Sequence, residues 1–476
     1  MTLDLSCHIG GASRPLPCVL EQRNPADLDE VVSRIPDAGA AEIAEASAAA
    51  RAALGPLGSG IEKRADALDQ IGARLVESRT DLGRLIARET GKTVSDAEGE
   101  VMRAARIFRF FGGEALRIVG ERFASVRPGV SVEVSYNPLG VVGAITPWNF
   151  PIAIPAWKIA PAIAYGNTVV WKPSEHSAAV ASRLMDIIAA SDLPAGSVNM
   201  VLGGRGAGEA LTSEADLDGL SFTGSEATGQ TVALTCARRR IRVQAEMGGV
   251  NGLIVLSDAN LDAAVEGALN GAFFAAGQRC TATSRIIVER GIAKAFAQQL
   301  SARMAALRVG DPLDPATQVG PLVSMRQKDA VRAAVATMVG AGRATLQAGR
   351  RDGAPACFVD PVLFDDLGAD DLLAREEVFG PVAGLMVVDS YEAALAMLNS
   401  VRFGLCGGIY TGSLKHAEHF KKHARVGMAM VNLPTAGVDY HAPFGGTKAS
   451  SLGPREQGRA ARDFFTVTRT AYQAPG

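Results

Sequence analysis

Apolar and polar positions recur with a helical period between about residue 40 and residue 120. This stretch is rich in alanine, and its apolar residues return every three or four positions between charged ones. A period of 3.6 residues places such positions on one face of a helix. The pattern predicts amphipathic helices, and it is clearest in the set Ala65, Ala67, Leu68, Ile71 and Leu75.

A different pattern begins after Gly120. The segment 125–136 alternates around Pro128-Gly129, which predicts β-structure with a turn. Short apolar runs then alternate with helical stretches near residues 156–164, 177–191 and 226–234, which is typical of buried parallel strands in βαβ units. We expect a doubly wound nucleotide-binding domain. Its predicted strands are Val141–Ile145, Thr168–Trp171, Val198–Leu202 and Gly219–Phe222.

A second α/β stretch runs from Leu253 to about Val431. Its predicted strands include Leu253–Leu256, Ser284–Val288 and Val382–Val388, and a helix is predicted over Leu261–Phe274. The polar tail after Arg455 ends in Phe464–Thr468, which predicts an edge strand.

Composition and charge narrow the class of protein. The 476 residues exceed what one hydrophobic core organises, so two or three domains are expected. A formal net charge of −2 gives no field that would attract nucleic acid or an anionic membrane. The sequence has no leader-like N-terminus and no apolar run long enough for a membrane span. Six cysteines without disulfide or zinc spacing favour a reducing, cytoplasmic location and no metal.

Cys280 carries the strongest chemical signal. It ends the string Gly277-Gln278-Arg279-Cys280, and the string Glu246-Met247-Gly248-Gly249 lies upstream of it. A thiolate can attack a carbonyl carbon, and a carboxylate can activate the water that releases the product. We expect Arg279 and the N-terminus of a following helix to lower the pKa of the Cys280 thiol. The other five cysteines fit small buried hydrophobes.

Asn149 follows a predicted strand within Pro147-Trp148-Asn149-Phe150-Pro151. When a thiolate adds to an aldehyde, the oxygen becomes an alkoxide that a side-chain amide can stabilise. An asparagine between two prolines more often makes a turn. Together with Cys280 and Glu246, the oxyanion role is favoured.

Lys172 and Glu175 lie where open α/β sheets bind ligands, directly after the predicted strand that ends at Trp171. The ammonium and the carboxylate can both reach a ribose, and the carboxylate repels a 2′-phosphate. NAD is therefore expected over NADP, although a mobile Glu175 side chain can turn away. The run 203–208 resembles a phosphate loop, but a flexible turn explains it equally well.

Two more strings fit a dinucleotide. Phe222-Thr223-Gly224-Ser225 ends a strand and opens a helix, where N–H groups and a hydroxyl can meet a pyrophosphate. The second string is Glu376-Glu377-Val378-Phe379-Gly380-Pro381. Its Glu377 can hold the nicotinamide ribose while Phe379 flanks the ring. An exposed acidic turn is the alternative interpretation of this string.

In this order the strings resemble the aldehyde dehydrogenase superfamily from about Asn24 to the C-terminus. The resemblance rests on PWNFP at 147–151, KPSE at 172–175, FTGS at 222–225, EMGG at 246–249, GQRC at 277–280, EVFGP at 377–381 and PFGG at 443–446. It implies Cys280 as nucleophile, Asn149 as oxyanion donor, Glu246 as deacylation base and Lys158 as a proton-relay lysine. The cofactor, NAD or NADP, would be held by Thr146, Pro147, Trp148, Lys172, Ser174, Glu175, Gly208, Phe222, Gly224, Ser225, Gly248, Glu377 and Phe379.

The resemblance also implies a fold and an assembly. It is an α/β fold with a Rossmann-like nucleotide-binding domain (1–121 and 138–247), an α/β catalytic domain (248–452) and a small oligomerisation sheet (122–137 and 453–476). A homodimer or homotetramer is expected. Val250 departs from the lysine that many members carry there, without removing a catalytic group.

The resemblance implies that the substrate is a small aldehyde, which is oxidised to a carboxylic acid. The segments 432–441 and 453–458 resemble a branch that oxidises α-ketoglutaric semialdehyde (2,5-dioxopentanoate). A desolvated carboxylate needs a cationic partner, and Arg103 or Arg279 can supply it, beside Phe150 and Thr281. Succinate semialdehyde, a neutral aliphatic aldehyde, coenzyme A acylation and a catalytically silent protein with this fold are the alternatives. Glu246 argues against acylation.

Overall fold

The computed structural model describes residues 2–347 and 356–475. The strands are β1 (Leu3–Asp4), β2 (Cys7–Ile9), β3 (Ala12–Arg14), β4 (Cys18–Asn24), β5 (Asp27–Pro36), β6 (Glu121–Ala124), β7 (Ser131–Pro138), β8 (Val141–Thr146), β9 (Thr168–Pro173), β10 (Val198–Met200), β11 (Gly219–Thr223), β12 (Arg242–Glu246), β13 (Asn251–Val255), β14 (Thr283–Glu289), β15 (Thr345–Gln347), β16 (Val362–Phe364), β17 (Val382–Val388), β18 (Phe403–Gly404), β19 (Cys406–Tyr410), β20 (Met428–Val431), β21 (Thr447–Lys448), β22 (Ser451–Leu452) and β23 (Thr466–Gln473).

The helices precede, connect and cover these strands. They are α1 (Ala40–Gly58), α2 (Ile61–Glu77), α3 (Arg79–Thr90), α4 (Val94–Ala115), α5 (Ala153–Ala164), α6 (Ala178–Ala189), α7 (Arg205–Ser213), α8 (Glu226–Arg239), α9 (Leu261–Phe273), α10 (Arg290–Ala305), α11 (Met325–Gly340), α12 (Leu372–Arg375), α13 (Tyr391–Asn399), α14 (Leu414–His423) and α15 (Arg462–Phe465). Short 3₁₀ turns lie at Glu175–Ser177, Phe274–Gly277 and Gly458–Ala461.

Two large sheets organise the chain. The first has the order β22-β12-β11-β8-β9-β10-β2-β3, and its five central strands, β12 to β10, are parallel. The second has the order β15-β16-β17-β14-β13-β19-β20 and is parallel from β16 to β20. Each sheet has its own hydrophobic core. The core of the first sheet consists mainly of residues before 248, and the core of the second sheet consists of residues after 252.

The predicted helical region is confirmed as α1 to α4. On α2, Ala65, Ala67, Leu68, Ile71 and Leu75 are all buried, as the period indicates. Gly112 on α4 lies so close to α2 that an added Cβ would be 3.1 Å from the carbonyl oxygen of Ala65. The strands and helices predicted for the βαβ units are also present.

Two predicted boundaries are wrong. The alternating segment 125–136 contains a turn up to Val130, and β7 begins only at Ser131. The tail strand begins at Thr466, because Phe464 and Phe465 belong to α15 and are buried in the first core. From Thr466 onward, β23 is the predicted edge strand, in a three-stranded sheet of order β23-β7-β6. The proposed division into domains stays a prediction.

Candidate active site

The predicted catalytic residues lie at strand ends of both large sheets, which contacts such as Asn149 Nδ2 to the Gln278 carbonyl oxygen bring together. Parallel strands β8, β9, β11 and β12 end at Thr146, Pro173, Thr223 and Glu246, so their carboxyl ends share one edge of the first sheet. In the second sheet the site lies at the amino ends instead. The turn that carries Cys280 precedes β14, and the turn that carries Glu377 precedes β17.

Cys280 is fixed by its backbone. Its carbonyl oxygen accepts a hydrogen bond from Asn251 Nδ2 at 2.8 Å, and the residue packs on an apolar cluster that includes Cys406 and Phe444. Burial raises the pKa of the Cys280 thiol well above its ordinary value, and the carboxylates of Glu377 and Glu246 raise it further. In this state the thiol is protonated at neutral pH, so the reaction needs a group that takes its proton.

The expected causes of a lowered Cys280 pKa are wrong. A turn and then β14 follow Cys280, so the helix expected directly after the thiol does not form. The Arg279 guanidinium is directed to Asp96, at 3.6 Å, and to Asn270 Oδ1, at 3.3 Å.

Asn149 lies beside the Cys280 segment. Its Nδ2 donates to the carbonyl oxygen of Gln278 at 3.1 Å. The loop after β8 is thereby joined to the loop that carries Cys280. Asn149 Oδ1 is buried and has no hydrogen-bond partner within the described residues. The structure thus brings the predicted oxyanion donor to the nucleophile's loop.

Glu246 is the last residue of β12 and is almost completely buried. One carboxylate oxygen accepts a hydrogen bond from Ser451 Oγ, while Oε1 finds no partner among residues 2–347 and 356–475. Burial raises the pKa of Glu246 well above its ordinary value, and the neighbouring Glu456 raises it further. The Ser451 hydrogen bond and Lys158 act in the opposite direction.

Lys158 belongs to a buried polar network behind Glu246. Its ammonium forms an ion pair with Glu456 and donates to Ser221 Oγ at 2.7 Å. Ser221 in turn lies 2.9 Å from Gln244 Oε1 and 3.2 Å from Glu456 Oε1. Glu456 is held by paired backbone hydrogen bonds with Phe444.

Cys280 opens onto a cavity of about 410 Å³, within the usual size range of small-molecule sites. Predicted substrate residues Arg103, Phe150, Arg279 and Thr281 all line it. Three of the lining side chains are cationic and two are carboxylates: Lys92, Arg103, Arg279, Asp96 and Glu100.

The three cations differ in their partners. Lys92 forms an ion pair with Glu100 and lies 3.9 Å from the centre of the Phe150 ring. Arg279 faces Asp96. Arg103 donates to the carbonyl oxygen of Val438 and has no carboxylate within ion-pair distance in the described part of the chain.

The residues that are predicted to bind the adenosine of the cofactor lie close together. Lys172 Nζ is 3.7 Å from Glu175 Oε2 and donates to the Pro173 carbonyl oxygen at 3.0 Å. A Cβ built on Gly208, in the first turns of α7, would be 3.8 Å from the Lys172 side chain. Run 203–208 is therefore the end of the loop before α7 and the first turn of that helix, and its Gly208 lies near Lys172.

The Ser174 and Thr146 hydroxyls each accept a hydrogen bond that stabilises the local structure. Ser174 Oγ accepts from the His176 N–H at 3.2 Å and begins the 3₁₀ turn that carries Glu175. Thr146 Oγ1 accepts from the Trp171 indole N–H at 2.9 Å and joins the ends of β8 and β9. Pro147 follows Thr146 at the start of the loop to Asn149.

Ser225 caps the N-terminus of α8, and its Oγ accepts from the Thr228 N–H at 3.4 Å. Gly224 packs on the Phe222 ring, where a Cβ would be 2.6 Å from Cζ. The neighbouring Thr223 Oγ1 is buried without a hydrogen-bond partner in the described residues.

Glu377 points towards the glycines after Glu246. It accepts a hydrogen bond from the Gly249 N–H at 3.1 Å, and a Cβ on Gly248 would overlap its carboxylate. Burial raises the pKa of Glu377 to about 7. Phe379 adopts a positive φ of 54° and meets Trp148 edge to face at 5.5 Å.

Sequence reasoning missed three residues of the site. Lys92 gave no signal, because its contact with Phe150 comes from the packing of α4 on the Asn149 loop. Glu456 and Ser451 lie in or beside the segment 453–458, which was interpreted only as a mark of substrate class. Their contacts with Lys158 and Glu246 span 298 and 205 residues of sequence.

The chain matches the aldehyde dehydrogenase family over residues 16–471. It is 37% identical to an alpha-ketoglutaric semialdehyde dehydrogenase of Bacillus subtilis, over 96% of this chain and 95% of that protein. It is 34% identical to a 2,5-dioxopentanoate dehydrogenase of Saccharolobus solfataricus, over 94% and 95%.

Solved structures agree. A putative methylmalonate-semialdehyde dehydrogenase of Sinorhizobium meliloti, complexed with NAD, superposes with a TM-score of 0.96 at 30% identity, covering 100% of this chain and 99% of that one. The predicted fold class is confirmed by this match. Within the described residues, no helix is both long and apolar enough to cross a membrane.

Proposed function

The chain belongs to the aldehyde dehydrogenase family, and we propose that it oxidises α-ketoglutaric semialdehyde (2,5-dioxopentanoate) to the dicarboxylic acid, with NAD or NADP as the oxidant. Family and cofactor class were predicted from the sequence and are confirmed. The observation that carries the substrate proposal is the Arg103 guanidinium, which lines the same cavity as Cys280 and has no carboxylate partner in the described residues.

An acid-bearing aldehyde fits the charges of the cavity. Lys92 and Arg279 already face Glu100 and Asp96, so their charges are largely cancelled. Arg103 has no ion-pair partner in the described residues; burial lowers its pKa by disfavouring the charged form, and the charges of Glu100 and Asp439 act in the opposite direction. A substrate carboxylate would supply the missing anion, and a guanidinium can hold it with two parallel hydrogen bonds. A neutral aldehyde would leave this partly buried guanidinium without an ion-pair partner.

The first step is attack by Cys280 on the aldehyde carbon. Because the thiol pKa is raised, a base must take the proton as the sulfur–carbon bond forms. Glu246 is the proposed base, since it is buried nearby and its charge acts on the thiol. The carbonyl oxygen becomes an alkoxide, and Asn149 Nδ2 with the Cys280 N–H would stabilise it.

The alkoxide carbon then loses a hydride, for which bound NAD or NADP would supply the acceptor, and a thioester remains on Cys280. Glu246 first releases the thiol proton to solvent, and it then takes a proton from water as the water oxygen adds to the thioester carbon. The thiolate leaves, and the products are the carboxylic acid and the free cysteine.

A buried polar network acts on Glu246 through its charges. Lys158, Ser221 and Glu456 form a continuous hydrogen-bonded chain that is closed to solvent. Lys158 lowers the pKa of Glu246, while Glu456 raises it. We assign this network the task of setting the protonation state of Glu246.

The residues present fit a dinucleotide. Lys172 and Glu175 offer a donor and an acceptor for the adenosine ribose, and α8 presents its N-terminus to a diphosphate. Thr223 Oγ1 is a buried hydroxyl without a partner in the described residues, which is what an added polar ligand would satisfy. Glu377 would accept from the nicotinamide ribose, with Trp148 and Phe379 beside the ring.

Assembly and location are part of the proposal. The sheet β23-β7-β6 carries the exposed apolar residues Phe123 and Tyr472, which support a homo-oligomer formed through this sheet. The cysteines in the described residues are all free, which supports the cytoplasm. Light scattering would test the first point, because a monomer at micromolar concentration contradicts it.

The substrate proposal is tested by reduction of NAD and NADP with a panel of aldehydes, comprising α-ketoglutaric semialdehyde, succinate semialdehyde and neutral chains of equal length. Arg103→Met should raise KM for the acids by about 10- to 100-fold, the worth of a charged hydrogen bond. It should leave neutral aldehydes unchanged. Arg106→Met, on the exposed face of the same helix, is the matched control. Equal turnover of neutral aldehydes by the unmodified enzyme would overturn the assignment.

A further inference from the structure

Arg402 joins the two halves of the cofactor cleft. Its guanidinium donates to Glu226 at 2.8 Å and to Glu376 at 2.7 and 2.8 Å, and it also donates to the carbonyl oxygen of Arg375 at 2.9 Å. Glu226 is the first residue of α8, next to Ser225. Glu376 immediately precedes Glu377. Arg402 therefore links the N-terminus of α8, where a diphosphate would bind, with the turn of Glu377, which would bind the nicotinamide ribose.

Three carboxylates crowd this position. The charge of Glu226 reaches Glu377 and contributes to its raised pKa. Arg402 lowers the pKa of Glu376, chiefly through their hydrogen bond. Without Arg402, the first turn of α8 would carry an uncompensated carboxylate where a dinucleotide presents a doubly charged diphosphate. Like charges at such separations repel, and a helix N-terminus attracts anions only if its own side chains do not cancel it.

We propose that Arg402 is a positioning residue for the cofactor: it neutralises Glu226 at the N-terminus of α8, so that the diphosphate of NAD or NADP can bind there. The inference rests on the cofactor site proposed above and adds a residue to it. Arg402 acts through Glu226 and touches neither the reacting atoms nor Cys280.

The main chain of Arg402 also makes a hydrogen bond to the segment that precedes Ser451. Its carbonyl oxygen accepts from the Ala449 N–H at 3.1 Å, close to Ser451, which bonds Glu246. A substitution that keeps the backbone should leave these contacts in place. The effect of changing the side chain is therefore expected in cofactor binding and not in the chemical steps.

The test measures the dissociation constant of NAD by titration calorimetry, without aldehyde. Arg402→Met should weaken binding about tenfold, the effect of an uncompensated charge near a diphosphate. Adding Glu226→Gln removes that charge, so the double variant should return to within about threefold of the unmodified enzyme. The loss in Arg402→Met should shrink at high salt, and kcat at saturating NAD should be unchanged.

Arg303→Met is the matched control, because Arg303 likewise bridges two carboxylates, Asp262 and Glu266, at 2.9 and 3.0 Å on α9. It should bind NAD normally. A double variant that binds NAD as weakly as Arg402→Met would show that Arg402 acts by holding Glu226 and Glu376 in place and not by neutralising charge, and it would overturn the proposal. So would an Arg402→Met enzyme that binds NAD like the control. If the unmodified enzyme failed to bind NAD, the cofactor site itself would be at fault.

Discussion

Lys158 and Glu456 form an ion pair in which each side chain is only 1% exposed. Both act on the buried carboxyl of Glu246, Glu456 raising its pKa and Lys158 lowering it. The nearest charges thus oppose each other at the group that must activate water. This opposition makes the two members of the pair separable by experiment.

Glu456→Gln should lower the pKa of Glu246, because it removes a like charge. Glu246 works as a base only when ionised, so the acidic limb of thioester hydrolysis should move to lower pH. Lys158→Gln removes the opposite charge and should move that limb to higher pH. Each shift is expected to be on the order of 1 pH unit. Single-turnover hydrolysis across pH checks this, and two shifts of the same sign would contradict it.

Neutralising a carboxylate near Cys280 should make the thiol more reactive. Glu377 and Glu246 both raise the Cys280 pKa, with Glu377 the larger of the two charges. In Glu377→Gln the thiolate fraction at neutral pH should rise, and iodoacetamide should label Cys280 several-fold faster. Mass spectrometry of the Cys280 peptide measures the rate. Glu418→Gln, on the exposed face of α14, should label like the unmodified enzyme.

The sequence predicts the parts of this enzyme that depend on local pattern. Continuous apolar runs such as Thr168–Trp171 identify buried parallel strands, because both faces of such strands are covered. The nucleophile and the base are identified because short strings carry them. The chemistry of Cys280 is predictable at this level, but its environment is not. A helix was expected after it, and the chain forms β14 instead.

What the sequence leaves open is set by contacts between distant segments. Arg402 meets Glu226 across 176 residues, and no local string marks either one. Arg103 and Arg279 look alike as candidate anchors in the sequence. The fold distinguishes them, since Arg279 forms an ion pair with Asp96, whereas Arg103 donates to a carbonyl oxygen and has no ion-pair partner in the described residues.

Glu377 should make cofactor binding depend on pH. Its pKa is raised to about 7, so at pH 6 it is mainly the neutral acid and at pH 8 mainly the carboxylate. Only the carboxylate offers acceptors to both ribose hydroxyls. NAD should bind more tightly as pH rises through 7, by up to about tenfold between pH 6 and 8. Glu377→Gln should bind weakly at both values, and a variant that kept the full pH dependence would show that another group titrates.

Gly277 tests how the Cys280 loop is held. Its φ is +65°, and an added Cβ would overlap the carbonyl oxygen of Gly380, beside the turn of Glu377. Gly277→Ala should therefore displace both turns, cost about 1–3 kcal/mol of stability and reduce kcat without removing a catalytic side chain. Gly206→Ala is the control, because nothing lies within 4 Å of its Cβ in α7, and its Tm should equal or exceed that of the unmodified enzyme. Thermal unfolding and kcat, measured on both variants, separate the outcomes. Full activity in Gly277→Ala would mean that the Cys280 loop tolerates a shift against the Glu377 turn.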